Sequence, residues 1–249
     1  MELLFVFIFG ALIGSFLNVV ILRIPRDESV AFPASHCMSC NTPLRAWHNV
    51  PIFSWLFLRG KCAFCGAKIS VQYPLIEVLS GLIFLFSAMK FGFTVQALGV
   101  AVTFDLLLAL SAIDYRYKMV PDSLNLGALT VAIFSVASLE QFGYNVTNAL
   151  LFAGGFSLLR FYISYILKKE AMGEADIMIA ATMGALLGVK LGLVAIFIGA
   201  VLALPALLLT RDESDESKEL PFIPFLAMGC WIVLMFDTYV NGYLVGIYG

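Results

Sequence analysis

Charge is what this sequence has least of. Only 13% of its 249 residues are Asp, Glu, Lys or Arg, against about 25% in an ordinary soluble domain. With 61% hydrophobic residues and a mean hydropathy of +0.95, a globule of this chain could not cover itself with polar surface. A soluble globular enzyme is excluded, and so is intrinsic disorder, which needs low hydrophobicity. Fifteen basic residues against seventeen acidic ones leave a net charge of −2, so the basic surface that nucleic-acid binding requires is missing. Histidine is almost absent: His36 and His48 are the two, and both lie in one polar stretch. The apolar remainder therefore has no Ser-His or Cys-His arrangement, and no H-E-x-x-H run occurs. What remains is an all-α polytopic membrane protein.

A helix needs about 20 mostly apolar residues to cross the hydrocarbon core. The hydropathy pattern predicts about eight transmembrane helices, over 2–22, 74–90, 96–114, 123–140, 147–167, 175–189, 191–209 and 222–245. The span at 175–189 is short and contains glycine, which fits a tilted, broken or partly re-entrant element. The first span lacks a basic leader region and ends in Arg23 and Arg26, so it reads as an uncleaved helix. With the N-terminus outside, twelve of the fifteen basic residues fall in cytoplasmic segments, only Lys90 and Lys190 fall outside, and Arg160 lies within a span. The positive-inside rule favours that orientation. Three parts result: residues 1–22 as the first helix, 23–73 as a cytoplasmic insert, and 74–249 as a seven-helix membrane domain.

The insert holds four of the five cysteines, as Cys37-Met38-Ser39-Cys40 and Cys62-Ala63-Phe64-Cys65. Two C-x-x-C turns can converge on the tetrahedron that Zn²⁺ accepts, so Cys37, Cys40, Cys62 and Cys65 are the predicted metal ligands. A reducing cytoplasm argues against disulfides. Four thiolates leave no open coordination position, which makes the metal structural, and an insert of some 50 residues is too small to hold together on its core alone. His36 is the substitute ligand by position, whereas Cys230 in the last span reads as a packed small hydrophobe.

Ionisable groups in or near a span are functional candidates by default. Asp114 and Asp176 both fall where a predicted helix meets the cytoplasmic interface. Asp105 lies about 13 Å from Asp114 along its helix, on the opposite face. Asp122 reads as a helix cap, and Asp176 admits the same reading. Glu77 suits either the helix dipole or an arginine partner, and Asp105 and Arg160 could pair across helices. With histidine excluded, hydrolysis at the membrane would need carboxylates, and two sharing one proton can activate water while donating to a carbonyl.

Several segments in order resemble the type IV prepilin peptidases, the bacterial leader peptidase/N-methyltransferase family. They are Gly14-Ser15-Phe16-Leu17-Asn18-Val19-Val20 with Arg23-Ile24-Pro25, and the two cysteine turns flanking Asn49-Val50-Pro51-Ile52, Ser54-Trp55 and Arg59-Gly60-Lys61-Cys62. Tyr73-Pro74-Leu75-Ile76-Glu77, Asp114 with Val120-Pro121-Asp122, Gly173-Glu174-Ala175-Asp176, Leu220-Pro221-Phe222 and Pro224-Phe225-Leu226 complete the set. Ala175 stands where the family has a second Gly, Met178 where a Lys is frequent, and Ile223 where a Gly is common.

The resemblance implies an intramembrane aspartyl peptidase with Asp114 and Asp176 as its catalytic pair. It would cut the basic leader from prepilins or pseudopilins at the cytoplasmic face of the bacterial inner membrane. It further implies N-methylation of the new N-terminus with S-adenosylmethionine, although no glycine fingerprint for that cofactor can be read from the residues.

Two other functions fit the composition. One is a small-solute or ion transporter using Asp105, Arg160 and Asp237 as intramembrane charges, with no inverted repeat to support it. The other is a non-catalytic scaffold for filament assembly. The acidic run Arg211–Glu219 reads as a solvated connector, with electrostatic attraction of a basic leader as a secondary role.

Overall fold

A computed structural model describes residues 1–169, 172–210 and 221–248. The acidic run 211–219 lies outside the described residues. Contacts within the chain divide it into two compact units, Met1–Phe93 and Thr94–Gly249.

The first unit is built on α1 (Glu2–Arg23) and α3 (Gln72–Phe91). They pack closely because their facing positions are small. A Cβ on Gly10 would lie 2.8 Å from the Ser80 carbonyl oxygen, and one on Gly14 would lie 2.8 Å from the Glu77 Cα. Small residues that let backbones approach are the usual substitute for hydrophobic drive between helices in lipid. Ser80 Oγ donates to the Gly10 carbonyl at 2.7 Å across the seam.

Between these helices runs the polar insert, with two short 3₁₀ turns (Ile24–Arg26 and Ala46–Asn49) and one short helix, α2 (Phe53–Phe57). Among its residues only Gly60 and Cys62 are buried. The apolar core of this segment is correspondingly small.

The second unit contains α4 (Val95–Tyr117), α5 (Asp122–Phe134), α6 (Leu139–Leu167), α7 (Glu174–Thr210), α8 (Ile223–Met235) and α9 (Asp237–Tyr248). Thr94 and Ser138 cap α4 and α6 by accepting from Ala97 N and Gln141 N. Lys118, in the left-handed region at φ 55°, ends α4 with its N–H on the Asp114 carbonyl. Many large apolar side chains on α6, among them Leu150, Leu158, Phe161 and Ile166, are exposed, as lipid-facing positions should be.

The all-α membrane architecture stands, and no strand occurs among the described residues, only two isolated bridges in the insert. The count of eight spans is approximate. Among the described residues five helices are long and apolar enough to cross a membrane, and α8 with α9, bent by 80°, makes up to six. Of the remaining expected spans, α5 has only 13 residues, about 20 Å against a core of about 30 Å. The two expected at 175–189 and 191–209 form one element, α7, interrupted at Gly188 (φ 71°, ψ −179°).

That interruption reverses the chain. The Phe152 ring lies against both Gly184 and Gly192, which a straight helix would hold about 12 Å apart. Beyond the break, Gly199 packs on the backbone of Phe225 and Leu226, and Ala195 packs on Gly229. The two arms of α7 therefore run in opposite directions, one along α6 and one along α8.

Candidate active site and metal centre

Asp114 sits in the last turn of α4 and is 8% exposed. Its Oδ2 accepts a hydrogen bond from the Ile223 N–H at 3.3 Å. That N–H is one of the unpaired donors at the start of α8, where backbone dipoles favour a carboxylate. Pro224, in the first turn of α8, has no N–H to satisfy. Pro221-Phe222 and Pro224-Phe225-Leu226 thus flank the residue that meets Asp114; Leu220 lies outside the described residues.

Asp176 is the third residue of α7. Its carboxylate folds back to accept from the Gly173 N–H, the reach of an N3 side chain to the N-cap position. Gly173 leaves room for this, since a Cβ there would be 3.4 Å from Asp176 Oδ2. The start of α7 is fastened to α5 by Asn125, whose Nδ2 donates to the Ala175 carbonyl at 3.0 Å. Because α5 follows α4 after a short turn, Asp114 and Asp176 both lie at the α4–α5 turn end of the second unit. Sequence reasoning missed Asn125, although an Asn in an apolar span was a visible signal. The Ile223 N–H carries no side-chain signature at all.

The other carboxylates fall elsewhere. Asp122 is the first residue of α5 and makes no capping hydrogen bond; Pro121 occupies the N-cap position. Its placement suits the helix dipole instead. Glu77 is beyond the first turn of α3, and its Oε2 accepts from the Ile52 N–H at 2.6 Å. Of the residues in the transport reading, Asp105 is buried midway along α4. Arg160 makes a 3.1 Å ion pair with Glu174, and Asp237 opens α9 and accepts from Thr238 N at 2.6 Å.

In the insert the four predicted ligands converge. The sulfur atoms of Cys37, Cys40, Cys62 and Cys65 all lie within 4.8 Å of one another. Zn–S bonds of about 2.3 Å require S···S separations near this range, and the Cys37 and Cys65 sulfurs are 3.9 Å apart. The residues present fit a closed tetrathiolate site. His36 turns its Nδ1 to the Ala34 carbonyl at 3.1 Å.

The two turns repeat each other with an offset of 25 residues. Ser39 N and Phe64 N each donate to the first sulfur of their turn at 3.5 Å. Asn41 N and Gly66 N each close on the carbonyl of that cysteine, both in the left-handed region. Such N–H···S bonds favour thiolate. The Thr42 hydroxyl and backbone pull Cys40 down to about 6, and the Cys65 and Phe64 backbones lower Cys62. Although the Ala67 N–H favours its thiolate, Cys65 is pushed up to about 11 by desolvation and the three neighbouring thiols.

Comparison with known proteins agrees with the motif order. Residues 8–91 match the bacterial peptidase A24 N-terminal domain, and 101–208 match the type IV leader peptidase family. The chain is 34% identical to a prepilin leader peptidase/N-methyltransferase of Xanthomonas campestris pv. campestris, over 94% of this chain and 92% of that one. A prepilin leader peptidase/N-methyltransferase of Neisseria gonorrhoeae is also 34% identical, over 91% and 87%. So is a type 4 prepilin-like proteins leader peptide-processing enzyme of Escherichia coli O78:H11, over 88% of each chain. No solved structure matches. The transport reading finds no support in these matches. With both halves of the chain matched in order and relatives aligned over most of its length, this multi-pass membrane protein belongs to the type IV leader peptidase family.

Proposed function

We propose that this protein is a membrane aspartyl endopeptidase. It removes the leader of type IV prepilins or pseudopilins at the cytoplasmic face of the bacterial inner membrane, then N-methylates the new N-terminus. Asp114 and Asp176 are the catalytic pair. One aspartate, ionised, takes a proton from water as the water oxygen attacks the scissile carbonyl carbon. The other, protonated, donates to the carbonyl oxygen. The C–N bond then breaks as the leaving nitrogen receives a proton from the pair.

The observation that carries this reading is that Asn125 and the start of α8 fix two aspartates at one end of one helical unit. Twelve basic residues in the expected inner segments support a cytoplasmic location for that end and for the cysteine module, with the N-terminus outside. The four thiolates hold Zn²⁺ as a structural staple. S-adenosylmethionine supplies the methyl group in the second reaction.

Cleavage of a purified prepilin in detergent tests the pair. Asp114→Asn and Asp176→Asn keep shape but cannot share the dyad proton. Each is expected to lower kcat at least about a hundredfold with the thermal unfolding of the protein unchanged. Wild-type cleavage by either variant would show that aspartate to be structural.

A further inference from the structure

Glu77 has surroundings that the peptidase reaction does not use. It is 7% exposed on the seam between α1 and α3, and no basic side chain pairs with it among the described residues. Its carboxylate accepts from the Ile52 N–H at 2.6 Å and from the Ser15 hydroxyl. A carboxylate can accept about four hydrogen bonds, so capacity remains. A buried carboxylate without a cation partner is held neutral by burial and ionises where a cation joins it.

One helical turn away is a second acceptor. Asn18 is 1% exposed; its Nδ2 donates to the Gly14 and Tyr73 carbonyls, while its Oδ1 is buried with no partner. Gly14 lies against Glu77 and Asn18 against Tyr73, so the two side chains occupy successive turns of the seam.

The backbone beside Glu77 is held in a rare form. Ile52 has φ 65° and ψ −54°, and Phe53 N closes on the Pro51 carbonyl at 2.6 Å. This is the strained γ-turn that β-branched residues avoid, and such strain gathers at functional sites. Just past it, Phe53, Leu56 and Phe57 on α2 are exposed and apolar. Two acceptors next to an apolar ledge suit a primary ammonium with three donors attached to an apolar chain.

We infer that Glu77, with Ser15 beside it and the free Asn18 amide oxygen one turn away, binds the α-amino group at the new N-terminus of the processed substrate. The inference rests on the methylation half of the proposed function and assigns the methyl-acceptor site to the first unit. A primary ammonium could also come from the headgroup of phosphatidylethanolamine, and the test separates the two.

The probe is a synthetic peptide of a mature pilin N-terminus with a free amino group, beside its N-acetylated twin. Both are bound to the full-length protein in phosphatidylcholine nanodiscs. Wild type is expected to bind the free amine about ten- to hundredfold more tightly, and Glu77→Gln is expected to lose that preference. Gln can still accept from Ile52 N–H, so a role confined to holding the turn would leave the preference intact.

Should the Gln variant not fold, labelling of wild-type Glu77 by a hydrophobic carbodiimide decides the matter. The free amine protects Glu77 and the acetylated peptide does not. Equal binding or equal protection by the two peptides overturns the inference, as does loss of the preference when phosphatidylethanolamine replaces phosphatidylcholine. Methylation of a pre-cleaved substrate by wild type is measured separately. Its absence would remove the proposed second reaction, whatever Glu77 binds.

Discussion

Asn125 is fully buried in α5 and gives one amide N–H to the Ala175 carbonyl, next in sequence to Asp176. Ala175 itself replaces the second glycine of the family motif. It is accommodated because α7 is already helical there and needs no left-handed residue. The orientation of Asp176 therefore depends on a partner 50 positions away. Asn125→Ala removes the hydrogen bond without placing a bulkier side chain in the buried site. It is expected to cost about 1 kcal/mol in thermal unfolding and to lower kcat for leader cleavage more than it raises KM, because Asn125 positions a reacting group without touching substrate. Leader-cleavage kinetics in detergent check this; an effect on KM alone would contradict a positioning role. Asp114 depends in the same way on a backbone donor, since Ile223 N–H is supplied by α8 whatever side chain stands there.

At the scale of the elements, α7 shows how a single residue sets topology. Its apolar run is about 55 Å long if straight, nearly twice the hydrocarbon core. Gly188 divides it at φ 71°, ψ −179°, a conformation that is essentially glycine-only, with the Tyr144 hydroxyl against its Cα. Gly184 and Gly192 let both arms close on one phenyl ring. Gly188→Ala should lower stability by about 1–3 kcal/mol in thermal unfolding. Adding Tyr144→Phe should recover only part of that, because it removes the oxygen clash and not the backbone strain. Full recovery in the double variant would show the clash alone to be responsible. The expected last span is bent by 80° between α8 and α9, where Asp237 accepts from Thr238 N and Oγ1 at the new helix start.

For the molecule as a whole, the helices and the polar insert are built differently. The helices pack through small residues and apolar faces, while the insert has almost no core and gathers its four cysteine sulfurs within 4.8 Å of one another. Removing the metal with a chelator should expose 24–71 to proteolysis while α4–α8 keep their protection, and one Cys→Ser change at Cys37, Cys40, Cys62 or Cys65 should do the same. Limited proteolysis with mass spectrometry checks both; an insert equally resistant without metal would refute the staple. The sequence by itself determined the membrane class, the all-α fold and the paired cysteine turns, because hydropathy and C-x-x-C spacing are local properties that few side chains can override. It also singled out Asp114 and Asp176 through motif order. The tertiary structure alone decided what each group meets: Ile223 for Asp114 at a separation of 109 residues, Asn125 for the start of α7 at 50, and Ile52 for Glu77 at 25. It also decided that one long apolar run turns back at Gly188. Those choices depend on which helices pack together, and helix packing depends on shape and hydrogen bonds between distant segments, which hydropathy along the chain does not encode.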